Sequence, residues 1–249
     1  MQVFLSNPRG WAGPRTDTDR VESFLSRWRG SGLGPLVVHA PYLVNIASPN
    51  REFLRKSRDL VRSTLAACEA FGAEFLVVHA GAGGPGEPAE ALERAATSLR
   101  GVILDAVSAR VVVELMAGTS GAVASTIGEA ERLFREVASE ELRLCLDTCH
   151  LFASGYAIDS ETGIDAVFTE LRETSLLDSL VLIHANDSKF GRGERRDRHE
   201  NIGDGRIGVG GFGVLLTRPE LSDVTVILET PGDAERKARD IGLLRRLVR

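Results

Sequence analysis

Seven short segments rich in β-branched and aliphatic residues recur along this chain of 249 residues. Their starts lie 32 to 44 residues apart, and the gaps between them show the apolar spacing of helices. The predicted strands are residues 2–5, 36–38, 75–78, 110–113, 142–146, 180–183 and 224–228. Strand–helix units repeated at this interval are typical of a parallel sheet, and strands that are apolar throughout predict a sheet covered on both faces.

A closed (β/α)8 barrel fits this pattern better than an open doubly wound sheet, because no G-x-G-x-x-G turn follows the first strand. The length suits one barrel domain, and no proline- or serine-rich linker divides the chain. We therefore predict an α/β protein with a single TIM-type barrel domain over residues 1–249. The pattern supplies seven strands, one fewer than a complete barrel has.

Composition and charge exclude several classes of protein. Hydrophobic residues at 43% and charged residues at 26% are typical of a soluble globular protein rather than a disordered or coiled-coil one. No apolar run is long enough to span a membrane, and the N-terminus has no secretion-signal pattern. The net charge of −5 argues against a surface coated with basic residues. Cys68, Cys145 and Cys149 contain no C-x-x-C pair, which indicates reduced thiols in a cytoplasmic protein.

Local signals predict where some helices begin and end. Ser48 and Pro49 predict the start of one helix, and Gly72 predicts its end. The apolar face expected for that helix consists of Phe53, Leu54, Leu60, Val61, Leu65 and Cys68. The stretch from Thr126 to Glu129 has the pattern of a capping box.

The residues at the ends of the predicted strands point to a function. From the second strand onward, every strand is followed by an imidazole or a carboxylate, at His39, His79, Glu114, Asp147, His184 and Glu229. A single polar residue there is usually a helix cap or solvated. Since His, Asp and Glu make up 40 of 249 residues, six such ends arise by chance with a probability of roughly 10⁻⁵ to 10⁻³. In a barrel, these positions lie at the C-terminal mouth, where active sites are built.

The two remaining histidines belong to the same predicted mouth. His150 lies three residues beyond Asp147, and Asp197 and His199 form an i, i+2 pair in the loop after His184. Imidazoles and carboxylates suit zinc or manganese. Nine such donors exceed the needs of one ion and predict two or three, an arrangement that chiefly serves phosphoester hydrolysis.

Five stretches that contain seven of these nine donors resemble the endonuclease IV family, zinc-dependent apurinic/apyrimidinic endonucleases on the xylose-isomerase-like TIM barrel. The resemblance runs from about Met1 to Glu229. The stretches are residues 39–45 (HAPYLVN), 146–156 (LDTCHLFASGY), 184–189 (HANDSK), 196–208 (RDRHENIGDGRIG) and 228–231 (LETP).

The resemblance implies three Zn²⁺ ions per chain, with Mn²⁺ as an alternative at one site. It implies one ion on His39, His79 and Glu114, a second on Glu114, Asp147, His184 and Glu229, and a third on His150, Asp197 and His199. Glu114 would bridge two ions, and Glu114 and Glu229 would be catalytic. The implied reaction is hydrolysis of the phosphodiester 5′ to an abasic site in duplex DNA, leaving a 3′-hydroxyl. We expect a monomer in the cytoplasm of a bacterial-type cell, acting at the nucleoid.

Residues that would contact DNA are also implied. Arg9 and Trp11 resemble the family's duplex-probing loop, as do Tyr42 and Leu43. An aromatic or leucine side chain can enter the base stack at a damaged site, whereas packing at the barrel rim is the alternative for Tyr42. Lys189, Arg196 and Arg198 belong to a basic loop that either meets phosphates or is simply solvated; Arg192 and Arg195 lie in the same loop.

The sequence departs from the family pattern at three places. Leu115 and Met116 follow Glu114 where the family usually has Asn-Thr, and a glycine-rich run follows His79. The family's first strand and helix have no counterpart, because Met1 begins where the second strand would begin. We expect a start placed downstream of the true one; the alternative is a barrel open at this seam. None of the predicted metal ligands lies in that unit.

Two other functions remain open at this point. A sugar isomerase or epimerase on the same barrel would use one or two ions and would not need His150 or the pair of Asp197 and His199. A relative without activity would bind abasic DNA and leave it uncut. The number of zinc ions per chain separates the nuclease from the isomerase, and incision separates it from the inactive relative.

Overall fold

The structure is a computed structural model that describes residues 1–248; Arg249, the last residue of the predicted domain, lies outside the described residues. The chain divides into two compact units. The first comprises Met1–Glu114 and Leu133–Arg143, and the second comprises Leu115–Arg132 and residues 144–248. No helix within residues 1–248 is long and apolar enough to cross a membrane.

The first unit contains four parallel strands in the order of the chain, joined by helices. Its elements are β1 (Gln2–Val3), α1 (Thr18–Ser31), β2 (Val37–His39), α2 (Arg51–Phe71), β3 (Phe75–His79), α3 (Pro88–Ile103) and β4 (Arg110–Glu114). The central residues of β2, β3 and β4 are fully buried aliphatic side chains. Strands of this composition are stable only when both faces of the sheet are covered.

The second unit contains three parallel strands and a short antiparallel pair. Helix α4 (Ile127–Val137) begins within this unit. The elements that follow are β5 (Arg143–Asp147), α5 (Thr148–Ser154), α6 (Glu161–Glu173), β6 (Leu180–His184), β7 (Asp187–Ser188), β8 (His199–Glu200), α7 (Gly208–Leu216), β9 (Thr225–Ile227) and α8 (Ala234–Leu247). Here β6 pairs with both β5 and β9, and β7 pairs with β8.

All seven predicted strands are present, with bounds that differ by one or two residues. The predicted helix start at Ser48 is wrong: Asn50 is the N-cap of α2, because its Oδ1 accepts hydrogen bonds from the N–H groups of Glu52 and Phe53. Phe53 is half-exposed rather than part of the buried face. Gly72 ends α2 in the left-handed conformation, as predicted, and Thr126 and Glu129 form the predicted capping box.

A partly buried cluster of ion pairs in the second unit should make a measurable contribution to the free energy of unfolding. Arg218 and Arg172 both donate to Glu220, and the hydrogen bond from Arg218 is the main cause that lowers the pKa of Glu220 to about 2. Because the folded pKa lies below the ordinary value, the carboxylate stabilises the fold above pH 4.5, and this contribution is lost as the pH falls toward 2. We expect Glu220→Gln to lower the free energy of unfolding by about 1 kcal/mol at pH 7 and by less at pH 3, measured by urea denaturation. An equal deficit at both pH values would contradict this.

Candidate metal centre

Five of the predicted ligands are the last residues of their strands, so the strand geometry places them directly. His39, His79 and Glu114 end β2, β3 and β4, and Asp147 and His184 end β5 and β6. Register pairs His79 with Glu114 and Asp147 with His184 on neighbouring strands. Glu229 lies two residues beyond β9. Side chains at the carboxyl ends of adjacent parallel strands meet at the same edge of the sheet.

In the first unit, two histidines converge on one carboxylate. Nε2 of His39 and Nε2 of His79 each lie 3.2 Å from Oε2 of Glu114, which is almost fully buried. Nδ1 of His39 lies 2.6 Å from the carbonyl oxygen of Ala40. Since a carbonyl only accepts, the proton of the neutral ring is on Nδ1, and Nε2 directs its lone pair toward the carboxylate. Two such atoms face each other favourably when a metal ion or a proton lies between them.

In the second unit, Asp147, His184 and Glu229 form another set of donors. One ligand atom from each of these three residues lies within 4.8 Å of the others. Nδ1 of His184 is 3.3 Å from Oε2 of Glu229. His184 and Asp147 are fully buried, whereas about a fifth of the Glu229 side chain is exposed. This set therefore has one side chain, Glu229, that reaches both the other donors and solvent.

A further set surrounds Asp197, also in the second unit. Its two carboxylate oxygens lie 3.4 Å from Nε2 of His150 and 3.4 Å from Nε2 of His199. Nε2 of His199 is also 3.5 Å from Oδ2 of Asp147, so Asp147 joins this set as well. Nδ1 of His150 donates to the carbonyl oxygen of Leu115 at 2.8 Å, which leaves Nε2 as the donor atom for a metal.

These distances fit zinc. Two donors that bind one tetrahedral zinc ion at about 2.0–2.1 Å lie about 3.4 Å apart. The nitrogen–oxygen distances in the three sets range from 3.2 to 3.5 Å. The imidazole–carboxylate donor set also suits this ion. The protein therefore has clustered side chains that could hold metal ions in both units.

One group of possible ligands includes a cysteine that was not predicted as a ligand. Cys149 lies close to Asp197 and His199. Burial is the main cause that raises the pKa of the Cys149 thiol to about 11, and the charge of Asp147 adds to it. At neutral pH the thiol must lose its proton before it can bind zinc, whereas a carboxylate or a neutral imidazole is ready to bind.

Asn186 is a residue of this site that sequence reasoning did not assign. It is fully buried, and its Nδ2 donates to Oδ2 of Asp147 at 2.5 Å and to Oε2 of Glu229 at 3.5 Å. Its Oδ1 accepts from the N–H of Glu229 at 2.9 Å, and the hydroxyl of Thr148 donates to its carbonyl oxygen. One amide thus holds two carboxylates in fixed orientations. Its place in the stretch HANDSK, two residues after His184, was the available signal.

The side chains predicted to contact DNA lie at the surface. In the first unit, Trp11 is 38% exposed and stacks on Phe53, and Tyr42 is 57% exposed with its ring against Phe4. Arg9 is exposed, as is Leu43. In the second unit, the exposed residues are Lys189, Arg196 and Arg198, and the guanidinium of Arg196 lies 3.5 Å from the centre of the Phe190 ring.

Comparisons with known proteins identify the family. Residues 1–247 match the family model described as "Xylose isomerase-like TIM barrel". The chain is 36% identical to the "Probable endonuclease 4" of Sulfurihydrogenibium sp. (strain YO3AOP1) over 251 aligned residues, which cover 100% of this chain and 90% of that protein. The chain belongs to the endonuclease IV family. It also superimposes on the crystal structure of endonuclease IV from Thermus thermophilus with a TM-score of 0.85 at 34% identity, covering 99% of this chain and 88% of that one.

The endonuclease IV family match confirms the predicted α/β fold of the TIM-barrel type and the predicted family. A second structure, a D-tagatose 3-epimerase-like protein, superimposes with a TM-score of 0.79 at 17% identity and covers 99% of this chain and 87% of that one. That likeness concerns the fold alone. A sugar epimerase and an endonuclease therefore share the barrel, and the ligand residues must separate the two functions.

Proposed function

We propose that this member of the endonuclease IV family is a zinc-dependent endonuclease that cuts duplex DNA on the 5′ side of an abasic site and leaves a 3′-hydroxyl. The observation that carries the proposal is the set of donors around Asp197, with His150 and His199 at 3.4 Å from its two oxygens. These residues lie outside the smaller set of ligands that an isomerase on this barrel needs. They would supply the ligands of an additional ion, and closely spaced ions serve phosphoester hydrolysis.

Each of the three sets of donor side chains described above would hold one ion. His39, His79 and Glu114 would hold one ion, and Asp147, His184 and Glu229 a second; the family resemblance implies that Glu114 would also be a ligand of the second ion. His150, Asp197 and His199 would hold the third, with Asp147 and Cys149 nearby. Bound zinc supplies a nucleophile from water at neutral pH and neutralises charge on the leaving oxygen. Mn²⁺ in place of zinc at one site stays part of the proposal.

The chain's own groups orient these ligands. The carbonyl oxygens of Ala40 and Leu115 fix the tautomers of His39 and His150, so that Nε2 of each ring is the metal-binding atom. Asn186 holds the carboxylates of Asp147 and Glu229. Because these partners are present before any substrate binds, little reorganisation is needed during the reaction. We propose Glu114 and Glu229 as the catalytic carboxylates.

The electrostatics of DNA binding depend on the ions. The net charge of the chain is −5, and four of its carboxylates belong to the proposed ligands, Glu114, Asp147, Asp197 and Glu229. Three divalent zinc ions would reverse the sign of the net charge. The exposed basic residues Lys189, Arg196 and Arg198 lie in the segment that also carries two of the ligands. We propose that this segment meets the phosphates of the duplex.

Tyr42 is expected to act on DNA rather than on the metal. Its exposed ring packs against Phe4 and lies close to His39, so it stands beside the proposed ligands. We expect Tyr42→Ala to weaken binding to a duplex with one abasic site roughly 10-fold, since it removes a stacking surface. Zinc content should not change. Fluorescence anisotropy measures the affinity; Tyr42→Phe should bind as the unsubstituted protein does, and equal affinity in Tyr42→Ala would contradict the proposal.

The proposal is tested against its two rivals with plasmid DNA. Depurinated supercoiled plasmid should be nicked by the zinc-loaded protein, and untreated plasmid should stay supercoiled. The zinc content, measured by plasma emission, should be about three ions per chain. About one ion per chain without nicking would favour the sugar isomerase or epimerase, and tight binding to depurinated plasmid without nicking would identify an inactive relative.

A further inference from the structure

A buried carboxylate in the second unit binds backbone groups rather than a metal. The side chain of Asp187 is fully buried, and its two oxygens accept hydrogen bonds from five backbone N–H groups at 2.8–3.4 Å. The donors are Ser188, Gly203, Gly205, Ile207 and Gly208. Hydrogen bonds to a carboxylate are about twice as strong as neutral ones. Asp187 therefore ties residues 203–208 to the end of β6.

The glycines of this segment are explained by the same contact. Gly203 and Gly208 have φ values of +84° and +72°, which favour glycine. A Cβ atom at Gly205 would overlap the Asp187 carboxylate itself. The pattern G-x-G-x-x-G over residues 203–208 thus wraps backbone around a carboxylate of the same chain. In other proteins, successive backbone N–H groups of this kind often bind a phosphate or another anion.

The wrapped segment is continuous with two proposed metal ligands. In the antiparallel pair of β7 and β8, Asp187 lies opposite Glu200 and Ser188 lies opposite His199. Lys189 N–H donates to the carbonyl oxygen of Arg198 at 3.0 Å, and Arg206 N–H donates to that of Ser188 at 2.7 Å. Residues 192–198 between these contacts are exposed. The backbone on both sides of His199 therefore pairs with residues 187–189.

We propose that Asp187 is a positioning residue for the metal-binding pair Asp197 and His199. Its carboxylate fixes Ser188 and residues 203–208, and the pairing of residues 187–188 with residues 199–200 then fixes the imidazole of His199 relative to His150 and Asp147. Asp187 itself contacts no metal ligand in this role; it acts through the backbone. The inference rests on the proposed function only in naming zinc as the ion held by this pair.

The test uses an isosteric substitution in the full-length chain. In Asp187→Asn, an amide NH₂ replaces an acceptor and faces backbone N–H donors. The matched control is Asp204→Asn, in the same segment, where the carboxylate is exposed and pairs with Arg239 at 3.0 Å. A second variant, Gly205→Ala, should displace the same carboxylate by steric overlap. Zinc affinity is measured by competition with a chromophoric chelator, and thermal unfolding checks that each variant folds.

The expected result has three parts, of which the first two do not depend on nuclease activity. Asp187→Asn and Gly205→Ala should bind one zinc ion about 10- to 100-fold more weakly and keep the affinity of the others. Trypsin should cut the bonds after Arg192, Arg195, Arg196 and Arg198 several-fold faster in these variants, both with and without zinc. Excess zinc should restore incision of an abasic duplex, which a general folding defect would not allow.

Two results would contradict the positioning role of Asp187. Unchanged zinc affinity, or equal loss of every ion together with a collapsed melting transition, would overturn the positioning role. If the unsubstituted protein binds its zinc as expected but cuts no abasic DNA, the proposed function fails. The zinc and trypsin results for Asp187 still decide the present inference in that case.

Discussion

Glu229→Gln is expected to cut an abasic duplex at least about 100-fold more slowly than the unsubstituted protein at saturating zinc. Glutamine has the shape of glutamate, and its amide can still contact Asn186. However, it removes the negative oxygen that lies 3.3 Å from Nδ1 of His184. A neutral amide is a much poorer zinc ligand than a carboxylate. Single-turnover incision of an end-labelled duplex measures the rate.

The matched control for this substitution is Glu235→Gln in the first turn of α8, which is exposed. We expect this control to keep the full rate, since it lies outside the donor clusters. In a second measurement, the zinc content of Glu229→Gln should fall by about one ion per chain, and the other ions should remain bound. A Glu229→Gln protein that cuts at the normal rate would remove Glu229 from the catalytic residues.

Removing zinc is expected to lower the melting temperature by roughly 10 °C. The carboxylates of Glu114 and Asp147 are buried, and each lies within 3.5 Å of a histidine nitrogen. A ligand at 1,000 times its dissociation constant stabilises the fold by about 4 kcal/mol. For a domain of this size, each kcal/mol shifts the melting temperature by about 2–4 °C. Differential scanning calorimetry of the chelator-treated protein measures the shift.

Zinc added back should restore the melting temperature, and an equal concentration of Mg²⁺ should not, because magnesium prefers oxygen ligands to imidazole. His199→Asn should show a smaller shift than the unsubstituted protein, since one of the three proposed ions would be weakened. A melting temperature that is the same with and without chelator, in a protein shown to have lost its zinc, would contradict the structural part of the proposal.

The fold was predictable because its strands are apolar throughout and its helices carry clear stop signals. All seven strands and the end of α2 at Gly72 follow from these patterns. The start of α2 was predicted two residues too early, at Ser48 instead of Asn50. Ser48 and Asn50 are both good N-cap residues, and only the hydrogen bonds of the folded chain distinguish them. The exposure of Phe53, which lies in the first turn of α2, was not predicted either.

Six of the nine proposed ligands were predicted from the set of residues that end the strands, but the residues that support the ligands were not predicted. Asn186 and Asp187 lie in residues 184–189, which resemble the endonuclease IV family, yet their partners are distant along the chain. Asn186 contacts Asp147 and Glu229, about 40 residues away on either side, and Asp187 contacts residues 203–208. Contacts of this kind depend on the packing of β5, β6 and β9 and leave no periodic pattern in the sequence.

The most direct test of the central claim is the position of the cut on DNA. A duplex with a single tetrahydrofuran abasic analogue, labelled at one 5′ end, is incubated with the zinc-loaded full-length protein and the product is sized at single-nucleotide resolution. The account predicts one cut immediately 5′ to the analogue, with a 3′-hydroxyl that a polymerase can extend, and loss of that cut in His184→Ala. An intact duplex after incubation with folded protein that carries its full complement of zinc would contradict the account.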